Sequence, residues 1–372
     1  MHRIVLIIFL AGAVIFGAWA AFEKTESTSD KEVNQAESGA LINRLEKLNG
    51  SGILFGHQDD LAYGIGWKYQ SGGKLDSDVK RLTGSFPAIL GWDLGGIGTD
   101  KNLDGVLFQN MKDLIIRGDA LGAINTLSWH PFLPNDATSS WDTKTKIVKE
   151  LLPEGKYHQA FNDKLDEVAH FFSALKNKEG KPIAVIFRPW HEMNGSWFWW
   201  GAKHCSPEEF KGLFIYTVDY LRNIKGLNNL VIAYSPDRMF DDKASYLTWY
   251  PGDAYVDILG VDNYHDFTEN GDGPEAVVNR LKLVVDIASA KGKIAAFTET
   301  GSDKLLDSSW YTQKLGKALY ANDLTKKLAY VLVWRNRDKE HFYVPFEGHP
   351  AQQDFVEFTN RKDVLLLNDI KK

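Results

Sequence analysis

Eight short apolar runs alternate with longer amphipathic stretches along most of this 372-residue chain, and that rhythm limits the folds open to it. The runs fall at residues 53–56, 87–91, 121–127, 183–187, 230–233, 256–261, 294–298 and 330–333. A short unbroken run such as Ile183-Ala184-Val185-Ile186-Phe187 suits a strand buried on both faces, as in a parallel sheet. Helical patterns fill most of the intervals, at 106–117, 161–176, 207–223, 274–290, 310–322 and 352–360. Ser206-Pro207-Glu208-Glu209 makes a good helix start, with Ser as N-cap, Pro at the first position and acids in the first turn. Eight strands alternating with helices over about 330 residues predict a single (β/α)8 barrel. The competing doubly wound sheet favours a glycine-rich phosphate turn after its first strand, and Gly56-His57-Gln58-Asp59-Asp60 is not one. With no internal repeat or composition break, residues 39–372 read as one domain.

The N-terminal end carries a different message. His2 and Arg3 precede an apolar stretch from Ile4 to Ala20 that closes on the small-x-small triplet Ala18-Trp19-Ala20. Residues 1–20 are therefore expected to be a secretory signal, with an uncleaved membrane anchor as the alternative. Residues 21–38, rich in Glu, Lys, Thr, Ser, Asp, Asn and Gln, read as a polar linker. The one cysteine, Cys205, leaves no intramolecular disulfide, and none near the N-terminus can carry a lipid anchor. Export without disulfides points to a bacterial periplasmic or secreted protein with no stable membrane contact once the signal is removed. A net charge of −6 without a basic cluster argues against a nucleic-acid partner. A monomer is the expected state.

In a barrel, chemistry gathers at the carboxyl ends of the strands. Read in order, those ends offer His57 and Gln58, Trp92 and Asp93, Trp129 and His130, and His191 and Glu192. Tyr234, Asp262 with Tyr264, Glu299, and Trp334 with Arg335 follow. After the fourth strand, residues 188–201 bring a carboxyl group together with Trp197, Trp199 and Trp200, a combination suited to sugar chemistry. Glu192 ends the fourth strand and Glu299 the seventh, so the two face each other across the barrel mouth. Two carboxyls so placed can flank a glycosidic bond, one protonating the leaving oxygen and the other attacking the anomeric carbon. His57, His130 and His191 could converge for zinc, but close His pairs are absent and paired glutamates need no metal. Neither a catalytic metal nor a cofactor is expected.

Trp190-His191-Glu192-Met193-Asn194-Gly195 with Trp197 and Trp199-Trp200-Gly201, and Thr298-Glu299-Thr300-Gly301, resemble the two signatures of glycoside hydrolase family 26. Ser128-Trp129-His130 and Gly56-His57-Gln58 fit the same pattern. The resemblance implies a retaining (β/α)8 glycosidase with Glu192 as acid/base and Glu299 as nucleophile. It also implies His130, His191, Trp197, Tyr264 and Trp334 around the cleaved sugar, with Arg335 placed for the next one out. Glu192 should hold its proton in apolar surroundings near Trp residues; Tyr264 should hydrogen-bond Glu299 and Arg188 neutralise it from the barrel interior. Trp92, Trp199 and Trp200 divide between core and cleft.

The implied substrate is β-1,4-mannan, glucomannan or galactomannan. The alternatives are the same chemistry on β-1,3-xylan or mixed-linkage β-glucan, and a sugar-binding protein without catalysis, against which both glutamates argue. Loops 94–102 and 336–350 are long enough to close one end of a cleft, so release of mannobiose stands beside mid-chain cleavage.

Overall fold

The computed structural model describes residues 28–133 and 139–371. Eight parallel strands form its centre: β1 Ile53–Gln58, β2 Ile89–Asp93, β3 Ile124–Ser128, β4 Val185–Arg188, β5 Leu230–Tyr234, β6 Ile258–Asp262, β7 Ile294–Thr300 and β8 Leu328–Val333. Each pairs with its neighbour in sequence, and β8 returns to β1 with Tyr330 opposite Leu54, so the sheet closes into a (β/α)8 barrel. Every residue of these strands is buried, which is why they read as continuous apolar runs rather than alternating ones.

The helices lie outside with one apolar stripe turned inward. Helix α2 (Phe108–Leu121) buries Phe108, Met111, Leu114 and Ile115, and α3 (His158–Ser173) buries Phe161, Leu165, Val168 and Phe172. This is the three-and-four spacing of an amphipathic helix. Helix α4 (Pro207–Asp219) opens with a full capping box, in which the Ser206 side chain accepts from the Glu209 N–H and the Glu209 carboxylate accepts from the Ser206 N–H. Helix α5 (Pro274–Ala290) lies between β6 and β7, a helical stretch over Trp310–Leu319 between β7 and β8, and α6 (Gln352–Thr359) follows β8. Helix α1 (Thr28–Asn49) packs Leu41 and Leu45 against the barrel and contacts β1, β5, β7 and β8 at the end opposite the strand carboxyl termini.

Three boundaries differ from expectation for local reasons. The run 121–127 is split, because Leu121 ends α2 and Gly122, at φ +94°, caps that helix before β3 begins. Helix 207–223 is α-helical only to Asp219 and then widens into a π turn over Tyr220–Ile224. Of the segment expected as a linker, 21–38, the part from Thr28 onward is the start of α1, and the rest lies outside the described residues, as does the expected signal 1–20. No helix among the described residues is long and apolar enough to cross a membrane.

Candidate active site

The chain leaves β4 through Pro189, which offers no N–H to continue a ladder, and turns sharply. Trp190 and Glu192 both take left-handed backbone conformations, at φ +56° and +54°. Such conformations in non-glycine residues cost roughly 1–3 kcal/mol each and persist only where the surroundings fix them. Here the Glu192 N–H donates to the Ser235 carbonyl at 2.8 Å, and the Trp200 indole N–H donates to the His191 carbonyl at 2.9 Å. Behind the turn, Trp190, Trp199 and Trp200 pack edge to face with centroids 5.2 to 5.7 Å apart. Trp92, Trp199 and Trp200 are fully buried, so all three serve the core.

Glu192 and Glu299 come together at the carboxyl ends of β4 and β7. One oxygen from each of Glu192, Asp262 and Glu299 lies within 4.8 Å of the others. The two glutamates differ in their partners. Glu192 is half-buried and accepts one hydrogen bond, from the Trp197 indole N–H at 2.6 Å. Burial, then the charges of Asp262, Glu299 and Asp237, push its pKa well above the ordinary carboxyl value. Glu299 accepts from the Arg188 guanidinium on one oxygen and from the Tyr264 hydroxyl, at 2.9 Å, on the other.

Arg188 is 1% exposed and bridges two acids, donating also to Asp262 at 2.7 Å. Asp262 accepts in addition from the hydroxyls of Ser235 (2.6 Å) and Thr298 (2.7 Å). A register shift between β6 and β7 makes this possible: Val261 faces Phe297, but Asp262 faces Glu299, leaving Thr298 as an extra residue. The bulge lets Thr298 and Glu299, adjacent in sequence, reach the same network instead of opposite faces. Among the described residues this acid trio is the group whose geometry could gather a metal. Its oxygens are already served by a guanidinium, a phenol, an indole and two hydroxyls, a donor set that holds carboxylates.

Beside the pair, His130 donates from Nδ1 to Asp93 at 2.7 Å, and its Nε2 lies 3.1 Å from Nε2 of His191. Burial opposes charge on His130, but Asp93 overrides it and holds the imidazole above its ordinary pKa. Burial, His130 and Arg188 keep His191 well below, hence neutral. The network therefore assigns the shared proton to His130 and leaves the His191 proton on Nδ1, which has no protein partner. Trp334 stands edge-on to His130 at 6.5 Å. Arg335, next along, pairs with Asp104 at 2.8 Å and donates to the Tyr63 hydroxyl at 3.4 Å. Burial pushes Asp104 up to about 6 against the pull of Arg335.

The structure brings the residues singled out as catalytic or sugar-facing together at the strand carboxyl ends: Trp197 on Glu192, Glu192 near Glu299, Tyr264 on Glu299, His191 on His130 and Trp334 beside His130, with Arg335 next along the chain. His57 does not join them; it pairs with Asp60 at 2.7 Å. Sequence reasoning missed Trp141, which is 49% exposed and lies parallel to the His130 ring at 5.4 Å and 17°. It also missed Asp104, on the loop after β2, and Tyr63, in a two-residue strand that pairs with Trp67–Lys68 after β1, where no periodicity marks a residue.

The sequence profile described as glycosyl hydrolase family 26 matches residues 31–332. A mannan endo-1,4-beta-mannosidase of Bifidobacterium adolescentis is 38% identical over 394 aligned residues, covering 96% of this chain. The chain spans only 38% of that relative's length. A mannan endo-1,4-beta-mannosidase of Bacillus subtilis is 30% identical, with 73% of this chain and 72% of the relative covered. The solved structure of a family 26 beta-mannanase from Bacteroides ovatus superimposes with a TM-score of 0.84 at 40% identity, over 90% of this chain and 95% of the other.

Proposed function

The chain belongs to glycosyl hydrolase family 26, and from that premise we propose that it cleaves β-1,4-mannosidic bonds within mannan, glucomannan or galactomannan, with retention at the anomeric carbon. The observation that carries the chemistry is the carboxyl spacing. Retaining glycosidases hold their two carboxyls about 5–5.5 Å apart, whereas inverting ones leave roughly 6.5–9.5 Å for a water. Oxygens of Glu192 and Glu299 within 4.8 Å of each other fit the first arrangement. The sugar and the mid-chain mode of attack follow from the names of the relatives.

In the first step Glu192 gives its proton to the glycosidic oxygen while a Glu299 oxygen attacks the anomeric carbon. The C–O bond to the leaving sugar breaks and an ester to Glu299 forms. In the second step Glu192, now ionised, takes a proton from water, whose oxygen attacks the same carbon and frees Glu299. The raised pKa of Glu192 keeps the donated proton available near neutral pH. Arg188 and Tyr264 fix the orientation of Glu299. His130, His191, Trp197 and Trp334 border the cleaved sugar, Arg335 reaches the next one, and the exposed indole of Trp141 offers a stacking surface at the cleft mouth. The protein acts after export, a reading supported by the signal-like pattern of residues 1–20.

A time course of products from linear β-1,4-mannan, run beside Glu192→Ala and Glu299→Ala, tests this reading. Mixed oligosaccharide lengths appearing early, with the β-anomer formed first and activity lost in both variants, are expected. One dominant short product would replace mid-chain cleavage with mannobiose release. An α-anomer formed first, or activity surviving in Glu299→Ala, overturns the double displacement. Activity on β-1,3-xylan or mixed-linkage β-glucan but not on mannan would overturn the substrate.

A further inference from the structure

We infer that Asn194 is a positioning residue that holds the strained turn of Glu192 in register with the strand side of Glu299. The inference rests on the reading of Glu192 as acid/base. Glu192 sits in a left-handed conformation that its own sequence does not favour, so something outside the turn must hold it. Beside the Glu192 N–H bond to Ser235, the Asn194 side chain, two residues on, ties the turn by three further hydrogen bonds. Its Nδ2 donates to the carbonyl of Asp237 at 2.8 Å and to that of Met239 at 3.3 Å, and its Oδ1 accepts from the Asp237 N–H at 2.8 Å. A side-chain amide bonded both to the N–H and to the C=O of one residue imitates a strand pairing and fixes two segments at a set distance.

The partner segment is itself bolted to β6. Asp237 bridges to Asp262; the Asp262 N–H donates to Pro236, and the Arg238 N–H donates to Asp262. Asp262 in turn faces Glu299 across the β6–β7 pairing. A continuous hydrogen-bonded path therefore runs from the turn bearing Glu192, through Asn194 and the loop after β5, to the strand bearing Glu299. Asn194 touches neither carboxyl. Its contribution is the separation and aim of Glu192, which matter most when the leaving oxygen needs a proton.

Leaving-group dependence reads this out. In Asn194→Ala, kcat/KM on mannopentaose, whose leaving sugar needs protonation, is expected to fall about 10- to 100-fold, the scale set by misplacement of a catalytic group. On dinitrophenyl β-mannobioside, whose leaving group needs no acid, the fall is expected to stay within about 3-fold. The basic limb of the mannopentaose profile should also move. Asn194→Asp keeps the acceptor for the Asp237 N–H but loses both donors, and decides by the same comparison if the alanine variant does not fold. An equal fall on both substrates, or none, overturns the inference. Glu192→Ala run in parallel separates the two readings: if it lacks the leaving-group dependence, the assignment of Glu192 fails, whatever the Asn194 variants do.

Discussion

The indole of Trp197 donates to the carboxyl group of Glu192, which must both give and take a proton, and its N–H favours the ionised form. Trp197→Phe should therefore move the basic limb of the kcat/KM profile to higher pH. It should also lower kcat about tenfold or more, the worth of one hydrogen bond to a charged group. A pH–rate series on mannopentaose checks both, and a limb moving to lower pH would refute the assignment. Glu192 also carries a cost in stability. Its pKa is raised in the folded protein, so both states hold the proton well below the ordinary value of 4.5, and there is no penalty there. As pH rises above that value the unfolded chain releases the proton first, and the native state loses stability until Glu192 itself ionises. Glu192→Gln should thus melt higher than the wild type at neutral pH, with the gap closing in mild acid. Thermal melts across that range would refute it if the two proteins stayed level.

At the scale of elements, the barrel was legible because strands buried on both faces spell continuous apolar runs, and all eight of the expected runs overlap a strand of the closed sheet. The polar strand ends were legible for the same reason. Less was readable where geometry departs from period. Strict alternation would send Thr298 and Glu299 to opposite faces, and nothing in Phe297-Thr298-Glu299-Thr300 announces the bulge that brings both to Asp262 and Arg188. Trp141, Asp104 and Tyr63 reach His130 and Arg335 from segments after the strand ends, whose convergence exists only in the closed barrel. The loop carrying Trp197 shows how tightly such segments are made. A Cβ on Gly195 would lie 2.4 Å from the Trp197 ring, closer than two carbons can approach. Gly195→Ala should displace that indole and reproduce the kinetic defect of Trp197→Phe, while the double variant should be no worse than Trp197→Phe alone, since both act through one contact. Additive losses in kcat/KM would show that Gly195 acts elsewhere.

Over the whole molecule the two ends of the barrel do different work. The carboxyl end holds the ionisable groups in strained or bulged backbone, and the opposite end supplies packing. There α1 meets the strand starts, and a short strand, Val364–Leu365, pairs with β1 beside Ile53 and Leu54. The chain continues through Leu367, which is 1% exposed and donates its N–H to the Phe86 carbonyl. Conservation of function through damage at that end is the expectation: Leu367→Ala should lower the unfolding free energy by about 2–5 kcal/mol and leave kcat/KM unchanged. Denaturant unfolding beside steady-state kinetics checks it, and a matching loss of activity would mean that the two ends are mechanically coupled.

The stack of Trp141 on His130 has an optical consequence. An imidazole whose charged form Asp93 favours lies parallel to a half-exposed indole, a contact expected to quench that indole's fluorescence. A sugar settling at the cleft mouth strips water from the ring and alters its emission. Occupancy should thus be readable without label or turnover, with the Trp141 share of the signal lost in Trp141→Phe and the share of Trp197 and Trp334 retained.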